Sequence, residues 1–180
     1  AWYASEHVQT QPGADTNAGD LDLVQSRDEA IGGNDTITVG NGSDMVIGGT
    51  GSDTITLNEG NNLALGDSGK ITAANADAPQ LSGLPITIGE VITTADDVGG
   101  SDTITAGSGK DILVGGTNDA GVSETIKALG GDNIVLGDSG RIDFTRSERE
   151  AAAGADYSPA DIDLVESLST EAAGGADTIT

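Results

Sequence analysis

Asp35, Asp44 and Asp53 recur at intervals of nine residues, and Asn62 stands at the next interval. Asp102 and Asp111 resume the same spacing further along the chain. Acidic side chains in such a series suit one of two chemistries. Paired carboxylates can move protons, but that requires a pocket, and nothing in the pattern builds one. Alternatively, a fold that repeats with the sequence brings the acids together, and their oxygens then hold a cation.

Three columns of the repeat say what positions them. From Ala30 the chain divides into AIGGNDTIT, VGNGSDMVI, GGTGSDTIT and LNEGNNLAL, followed by GDSGKIT. The fourth place holds Gly33, Gly42, Gly51 and Gly60; the eighth holds Ile37, Val46, Ile55 and Ala64. A second run, DVGGSDTIT and AGSGKDILV, supplies Gly100, Gly109, Asp102, Asp111, Ile104 and Leu113. The next segment, GGTNDAGVSETIK, is four residues too long, so Asn118 to Ser123 should bulge as a loop and Glu124 takes the acidic place. LGGDNIVL restores the register with Asn133 and Val135.

Nine residues are too few for a helix pair but suit one short strand and one tight turn. Glycine admits the backbone angles such a turn needs. The triplet after each acid forms the strand. Its middle residue points inward and its neighbours point out, because side chains alternate across a strand. Two nine-residue units make one coil of a flattened parallel β-roll, an all-β solenoid. Unit n then stacks on unit n+2 at about 4.8 Å. Asp35 falls over Asp53, Asp44 over Asn62, Asp102 over Glu124 and Asp111 over Asn133. Carboxylates stacked at that distance repel unless a divalent cation lies between them. Calcium accepts six to eight oxygens, whereas magnesium demands a tighter octahedron. Zinc prefers His or Cys, and the chain has one His, His7, and no Cys.

A longer repeat overlies the short one. GGNDTIT at Gly32, GGSDTIT at Gly99 and GGADTIT at Gly174 are offset by 67 and 75 residues. LALGDSGKIT (63–72) answers IVLGDSGRID (134–143), and the extended segments LDLVQS, TIGEVITT and IDLVESLS precede each GG. This divides the chain into an entry segment at 1–20, a unit at 21–87 with its roll at 30–72, a unit at 88–161 with its roll at 97–144, and the start of a third at 162–180. Each roll is expected to end near LGDSG, where Asp67 and Asp138 are further candidates to close the last turn. TIGEVITT and IDLVESLS should add strands beside the roll or start the next coil. SEREAAAG from Ser147 has a capping-box pattern and predicts a short helix.

The 180 residues carry 30 acidic and 7 basic side chains, a net charge of -23. That charge disfavours nucleic acid, whose phosphates require Lys and Arg, and anionic membrane surfaces. No apolar run is long enough to insert in a membrane. With four aromatic residues, Trp2, Tyr3, Phe144 and Tyr157, the core must be thin and aliphatic.

GGTGSDTIT matches GGxGxDxUx, the nonapeptide of RTX (repeat-in-toxin, hemolysin-type) proteins, place for place. VGNGSDMVI and AGSGKDILV depart only at the first Gly. The long unit resembles repeats of giant bacterial surface proteins. The resemblance implies a calcium-loaded β-roll and export by a type I route. It also implies that Asp35, Asp44, Asp53, Asp102, Asp111 and Asp177 bind calcium with carbonyls of the turns at Gly33, Gly42, Gly51, Gly100 and Gly109. Asn62, Glu124 and Asn133 depart from Asp, and their sites should be weaker or capped. The expected role is a structural module of a secreted or cell-surface protein, a stalk, fibre or surface layer, with calcium coupling folding to export. Self-association or stacking with neighbouring repeats fits such arrays. The alternatives are an adhesive ligand-binding module, or the secretion domain of an RTX enzyme whose catalytic part lies elsewhere.

No catalysis is expected of this chain. GDSG at Gly66 and Gly137 resembles a serine-protease loop, but the triad needs a His base and only His7 is present. GSGKD at 107–111 lacks the first Gly of a phosphate loop, Ile104 standing there, and Asp111 replaces Ser or Thr. TxT triplets can bind ice when they form a flat array. Here MVI and LAL interrupt them, and Thr is in any case a good strand former.

Overall fold

The computed structural model describes residues 19–75, 80–95, 97–118, 122–146, 158–169 and 174–180. Short strands form where β-branched and aliphatic residues follow the acidic place of each nonapeptide. In chain order the strands are β1 (Leu23–Gln25), β2 (Thr36–Thr38), β3 (Met45–Ile47), β4 (Thr54–Thr56), β5 (Leu63–Leu65), β6 (Gly69–Ala73) and β7 (Ile88–Thr93). They continue with β8 (Thr103–Ser108), β9 (Ile112–Gly116), β10 (Thr125–Gly130), β11 (Ile134–Asp138), β12 (Gly140–Asp143), β13 (Leu164–Ser167) and β14 (Thr178–Ile179). The all-β expectation holds, and no described helix is long and apolar enough to cross a membrane.

These strands form three sheets. An outer parallel sheet runs β14-β10-β8-β4-β2, and a middle parallel sheet runs β11-β9-β5-β3. The chain passes from one to the other at every nonapeptide. A third sheet, wholly antiparallel, runs β1-β6-β7-β12-β13. The segments LDLVQS, TIGEVITT and IDLVESLS thus supply β1, β7 and β13 of a separate sheet beside the parallel pair. The strands repeat in sets of six: β1–β6 and then β7–β12 each place two strands in every sheet. All three sheets therefore advance together, by roughly 10 Å per set at ordinary strand spacing.

The parallel sheets do not stop at GDSG. β4 pairs with β8 in register, Ile55 against Ile104, and β5 pairs with β9, Ala64 against Leu113. The expectation of a roll ending near LGDSG in each unit is corrected to one stack running through both. An exposed strand edge leaves backbone amides and carbonyls unpaired, and the next coil satisfies them here.

Between the outer and middle sheets lies the thin core foreseen from the eighth place. Ile55, Ile104 and Ile126 of the outer sheet meet Ala64 and Leu113 of the middle sheet, all with no exposed surface. Fully burying each of these isoleucine and leucine side chains is worth about 1.5–3 kcal/mol.

A second core covers the other face of the middle sheet. Leu63, Leu65, Ile112 and Val114 pack against Ile71, Ile88, Val91, Ile142 and Phe144 of the antiparallel layer. The outward-facing expectation fails for these triplets, because the middle sheet has a layer on both sides. Their composition carries the sign: LAL and ILV are apolar throughout, as strands buried on two faces are.

On the outer sheet the flanking threonines do face away from the core. Thr36, Thr54, Thr103, Thr125 and Thr178 align in one row. MVI and LAL lie on the other sheet, so they do not interrupt the threonine array as the linear sequence suggested. Lys127 interrupts the second row, opposite Thr105. The helix expected from Ser147, most of the entry segment and the middle of the 118–123 loop lie outside the described residues.

Candidate metal centre

Each parallel coil turns twice, and each turn brings one acidic or amide side chain to the end of a sheet. The carboxylate reaches the neighbouring coil and accepts a hydrogen bond from the backbone amide of its counterpart. Asp53 Oδ1 accepts from Asp35 N at 2.8 Å, Asp102 Oδ1 from Asp53 N at 2.7 Å and Glu124 Oε2 from Asp102 N at 2.8 Å. Asp177 Oδ1 accepts from Glu124 N at 3.0 Å. On the opposite turn Asn62 Oδ1 accepts from Asp44 N, Asp111 Oδ1 from Asn62 N and Asn133 Oδ1 from Asp111 N. The four predicted stackings are therefore present. Two more, Asp53 over Asp102 and Asn62 over Asp111, arise from the fusion of the two runs.

One oxygen each of Asp53, Asp102, Asp111 and Glu124 is thus occupied, and the other has no partner among the described residues. Asp44 Oδ2, Asp53 Oδ2, Asp102 Oδ2, Asp111 Oδ2 and Glu124 Oε1 are buried and have no hydrogen-bond partner among the described residues. Asp53, Asp102 and Asp111 are 1% exposed and Glu124 is fully buried. A buried charge without a partner costs several kcal/mol, so these oxygens call for a cation or a proton.

The space they face is kept open by glycine. A methyl group placed on Gly66 would lie 2.1 Å from Asp102 Oδ2 and 2.3 Å from the Gly115 carbonyl oxygen. One placed on Gly48 would lie 2.5 Å from Asp53 Oδ2 and 2.1 Å from the Gly66 carbonyl oxygen. Carboxylate and carbonyl oxygens therefore border a common side-chain-free space at these two levels of the acidic turn. An all-oxygen donor set of this kind fits calcium. The fourth-place glycines have a packing reason as well. Gly51 and Gly109 have φ of +130° and +149°, and a side chain on either would run into the carbonyl of the coil below. Gly100 is blocked in the same way by the Gly51 carbonyl, whereas Gly33 has open space beside it. Gly42 lies at the end of its stack with φ of +146°.

Electrostatics concentrates where the two runs meet. Burial, the nearby Asp102 charge and further carboxylates hold the Asp67 carboxyl at about 9. Burial, then the Asp102 charge, lifts Glu124 to about 8. Burial, with Asp53 adding to it, lifts Asp102 to about 7. Two like charges about 4 Å apart repel by about 4 kcal/mol at an effective dielectric near 20. Burial and mutual repulsion therefore oppose full ionisation of the group, and a cation among its oxygens would relieve both. Burial also raises Asp53 and Asp111, but the amide and side-chain bonds from Asn62 oppose the rise at Asp111.

Several contributors escape the nine-residue columns. The first-place glycines Gly48, Gly66 and Gly115 hold the oxygen-lined space open, and the cue is the absence of a side chain rather than a ligand. Asn34, Ser52 and Asn61, at the fifth place, accept amide hydrogens from Ser52, Ser101 and Lys110 of the adjoining coils.

The family model for the RTX calcium-binding nonapeptide repeat matches this chain in four copies, over residues 30–69 and 94–119. No curated protein and no solved structure matches. RTX nonapeptide repeats bind calcium ions, and the matched segments carry Asp35, Asp44, Asp53, Asp102 and Asp111. The repeats make this a calcium-binding structural module. The three-dimensional stack extends past the match, because Glu124 and Asn133 occupy the same levels with altered side chains.

Proposed function

We propose that this chain, built on RTX calcium-binding nonapeptide repeats, is a calcium-dependent structural module of a secreted or cell-surface protein. One observation carries the reading: each buried turn acid spends one oxygen on the next coil's amide and leaves the other unpartnered. In this reading Asp35, Asp44, Asp53, Asp102, Asp111, Glu124 and Asp177 supply carboxylate oxygens. The glycine turns supply carbonyls, and Asn62 and Asn133 supply neutral oxygens at weaker levels. Calcium binds the folded turns and hardly the open chain, so it stabilises folding by mass action. Where calcium is scarce the chain stays open for export; where it is plentiful the stack sets.

The six-strand sets suit a stalk, fibre or surface layer, with long units at 21–87 and 88–161 and a third begun at 162. Since all three sheets advance equally, another unit can dock without a change of geometry. Removal of calcium is expected to abolish most of the β signal in circular dichroism, and its return to restore it. An equally folded chain in excess chelator would sink the proposal.

An adhesive module is the second reading, and the aligned threonines of the outer sheet favour it. Ice-affinity and glycan screens on calcium-loaded protein, with and without Thr103→Tyr, test it. Binding that the substitution leaves unchanged removes that face from consideration.

A further inference from the structure

The row of turn residues that follows the middle sheet alternates in a way the nonapeptide does not explain. Parallel pairing places Gly49, Asp67, Gly116 and Asp138 at equivalent positions of successive coils. The second glycine of the turn has become an acid in every other coil, once per six-strand set. Asp67 comes from the last coil of the first set, yet its neighbours, Asp102 and Glu124, come from the second. Its Oδ2 accepts a hydrogen bond from Thr117 N at 2.7 Å, which fixes the carboxylate.

Ligand oxygens of Asp67, Asp102 and Glu124 all lie within 4.8 Å of one another. These residues are 1%, 1% and 0% exposed. Asp67 Oδ1, Asp102 Oδ2 and Glu124 Oε1 are each buried without a hydrogen-bond partner among the described residues. No side chain fits beside them at Gly99 or Gly116, where an added methyl would approach Asp67 Oδ2 to 2.5 and 2.4 Å.

We propose that Asp67, Asp102 and Glu124 form a three-carboxylate calcium site, the tightest in the chain, which locks one six-strand set onto the next. The inference rests on the calcium reading above and adds a ligand that lies outside the acidic column of the nonapeptide. Calcium affinity rises with the number of charged ligands and with the rigidity of the site. This site has one more carboxylate than two stacked turn acids provide, and it has two more than an Asp–Asn level. It spans residues that the sequence separates, so its ion ties together coils that local chain connectivity does not. The next junction begins the same arrangement. Asp138 Oδ1 accepts from Gly175 N at 3.0 Å, and an added methyl on Gly137 would lie 2.3 Å from Asp177 Oδ2.

Calorimetric titration of the whole 180-residue chain with calcium tests this. Asp67→Asn is expected to weaken the tightest binding by at least about tenfold, while Arg141→Ala, in the antiparallel sheet, leaves it unchanged. Circular dichroism at saturating calcium checks the fold of each variant. Should Asp67→Asn not fold, Asp67→Gly replaces it, since glycine already stands at this place in the alternate coils. Tightest binding that survives loss of the Asp67 carboxylate in a folded variant overturns the proposal and leaves the calcium module intact. A wild-type chain that binds no calcium overturns both.

Discussion

The turn column Asp35, Asp53, Asp102, Glu124 and Asp177 is acidic at every level, whereas Asp44, Asn62, Asp111 and Asn133 alternate acid with amide. Both give the neighbouring coil an oxygen for its backbone amide, at similar distances. They differ in what happens to the rest of the side chain. Asn62 donates to Asp111 Oδ1 at 3.0 Å and to the Gly60 carbonyl at 3.1 Å. The amide thus cancels part of the charge problem by hydrogen bonding. Among the described residues no side-chain amide donates to Asp53, Asp102 or Glu124, although Asn118 donates to Asp177 Oδ1 at 3.3 Å, and Asp67 adds a further acid beside them. The alternating column therefore leaves fewer carboxylate oxygens in need of a cation than the acidic one, although Asp44 Oδ2 and Asp111 Oδ2 also lack hydrogen-bond partners among the described residues.

The sharpest break in this comparison is expected from pH. Asp67, Asp102 and Glu124 have folded values of about 9, 7 and 8, against ordinary values of 3.8, 3.8 and 4.5. Calcium-free folded protein therefore holds more protons than the unfolded chain between those limits. Its stability from these groups is full below about pH 4 and is lost as pH rises through the folded values. With calcium present the trend reverses, because protons compete with the cation. Urea unfolding of calcium-stripped and calcium-loaded protein at about pH 5 and about pH 8.5 measures both slopes. Equal slopes would remove the distinction between the columns.

Asp102→Asn follows in size. Asparagine still accepts the Asp53 amide but brings no charge. Loss of one calcium held at a hundredfold excess over its dissociation constant costs about 2.7 kcal/mol. The same variant is expected to gain about 1 kcal/mol in calcium-stripped protein, as repulsion falls. Denaturation midpoints with and without calcium should move in opposite directions.

The converse change, Asn62→Asp, should make the second column resemble the first. Lost amide bonds and added repulsion are expected to cost about 1–3 kcal/mol without calcium. Calcium should restore much of it, with a steeper dependence of melting temperature on calcium concentration than in wild type.

The smallest effect belongs to the antiparallel sheet. There Arg141 bridges Glu90 of β7 at 2.6 Å and Asp143 of its own strand, β12, at 2.8 Å. Arg141→Ala is expected to cost about 1 kcal/mol, since the guanidinium is partly exposed. The cost should be the same at any calcium concentration, which makes this sheet the control for the turns.

Much of the local design was legible in the residues. Asp at the sixth place, an aliphatic at the eighth and Gly at the fourth gave the strand, the inward face and the stackings two units apart. Short-range pattern suffices there because strand alternation and turn length are set within nine residues. The departures at Asn62 and Glu124 were visible too, although their consequences were not: Asn62 became a donor that quiets Asp111, and Glu124 stayed buried at full register.

Sequence by itself determined the nine-residue coil, the acid columns and the aliphatic core. Tertiary structure alone decided that Asp53 sits under Asp102 across 49 residues, that LAL and ILV are covered on both faces, and that Asp67 enters its neighbour's turn. The physical reason is that periodicity fixes only what lies within an unbroken run. Between Gly66 and Gly99 the run is broken, and the outcome is set by unpaired strand edges and uncovered apolar faces finding partners.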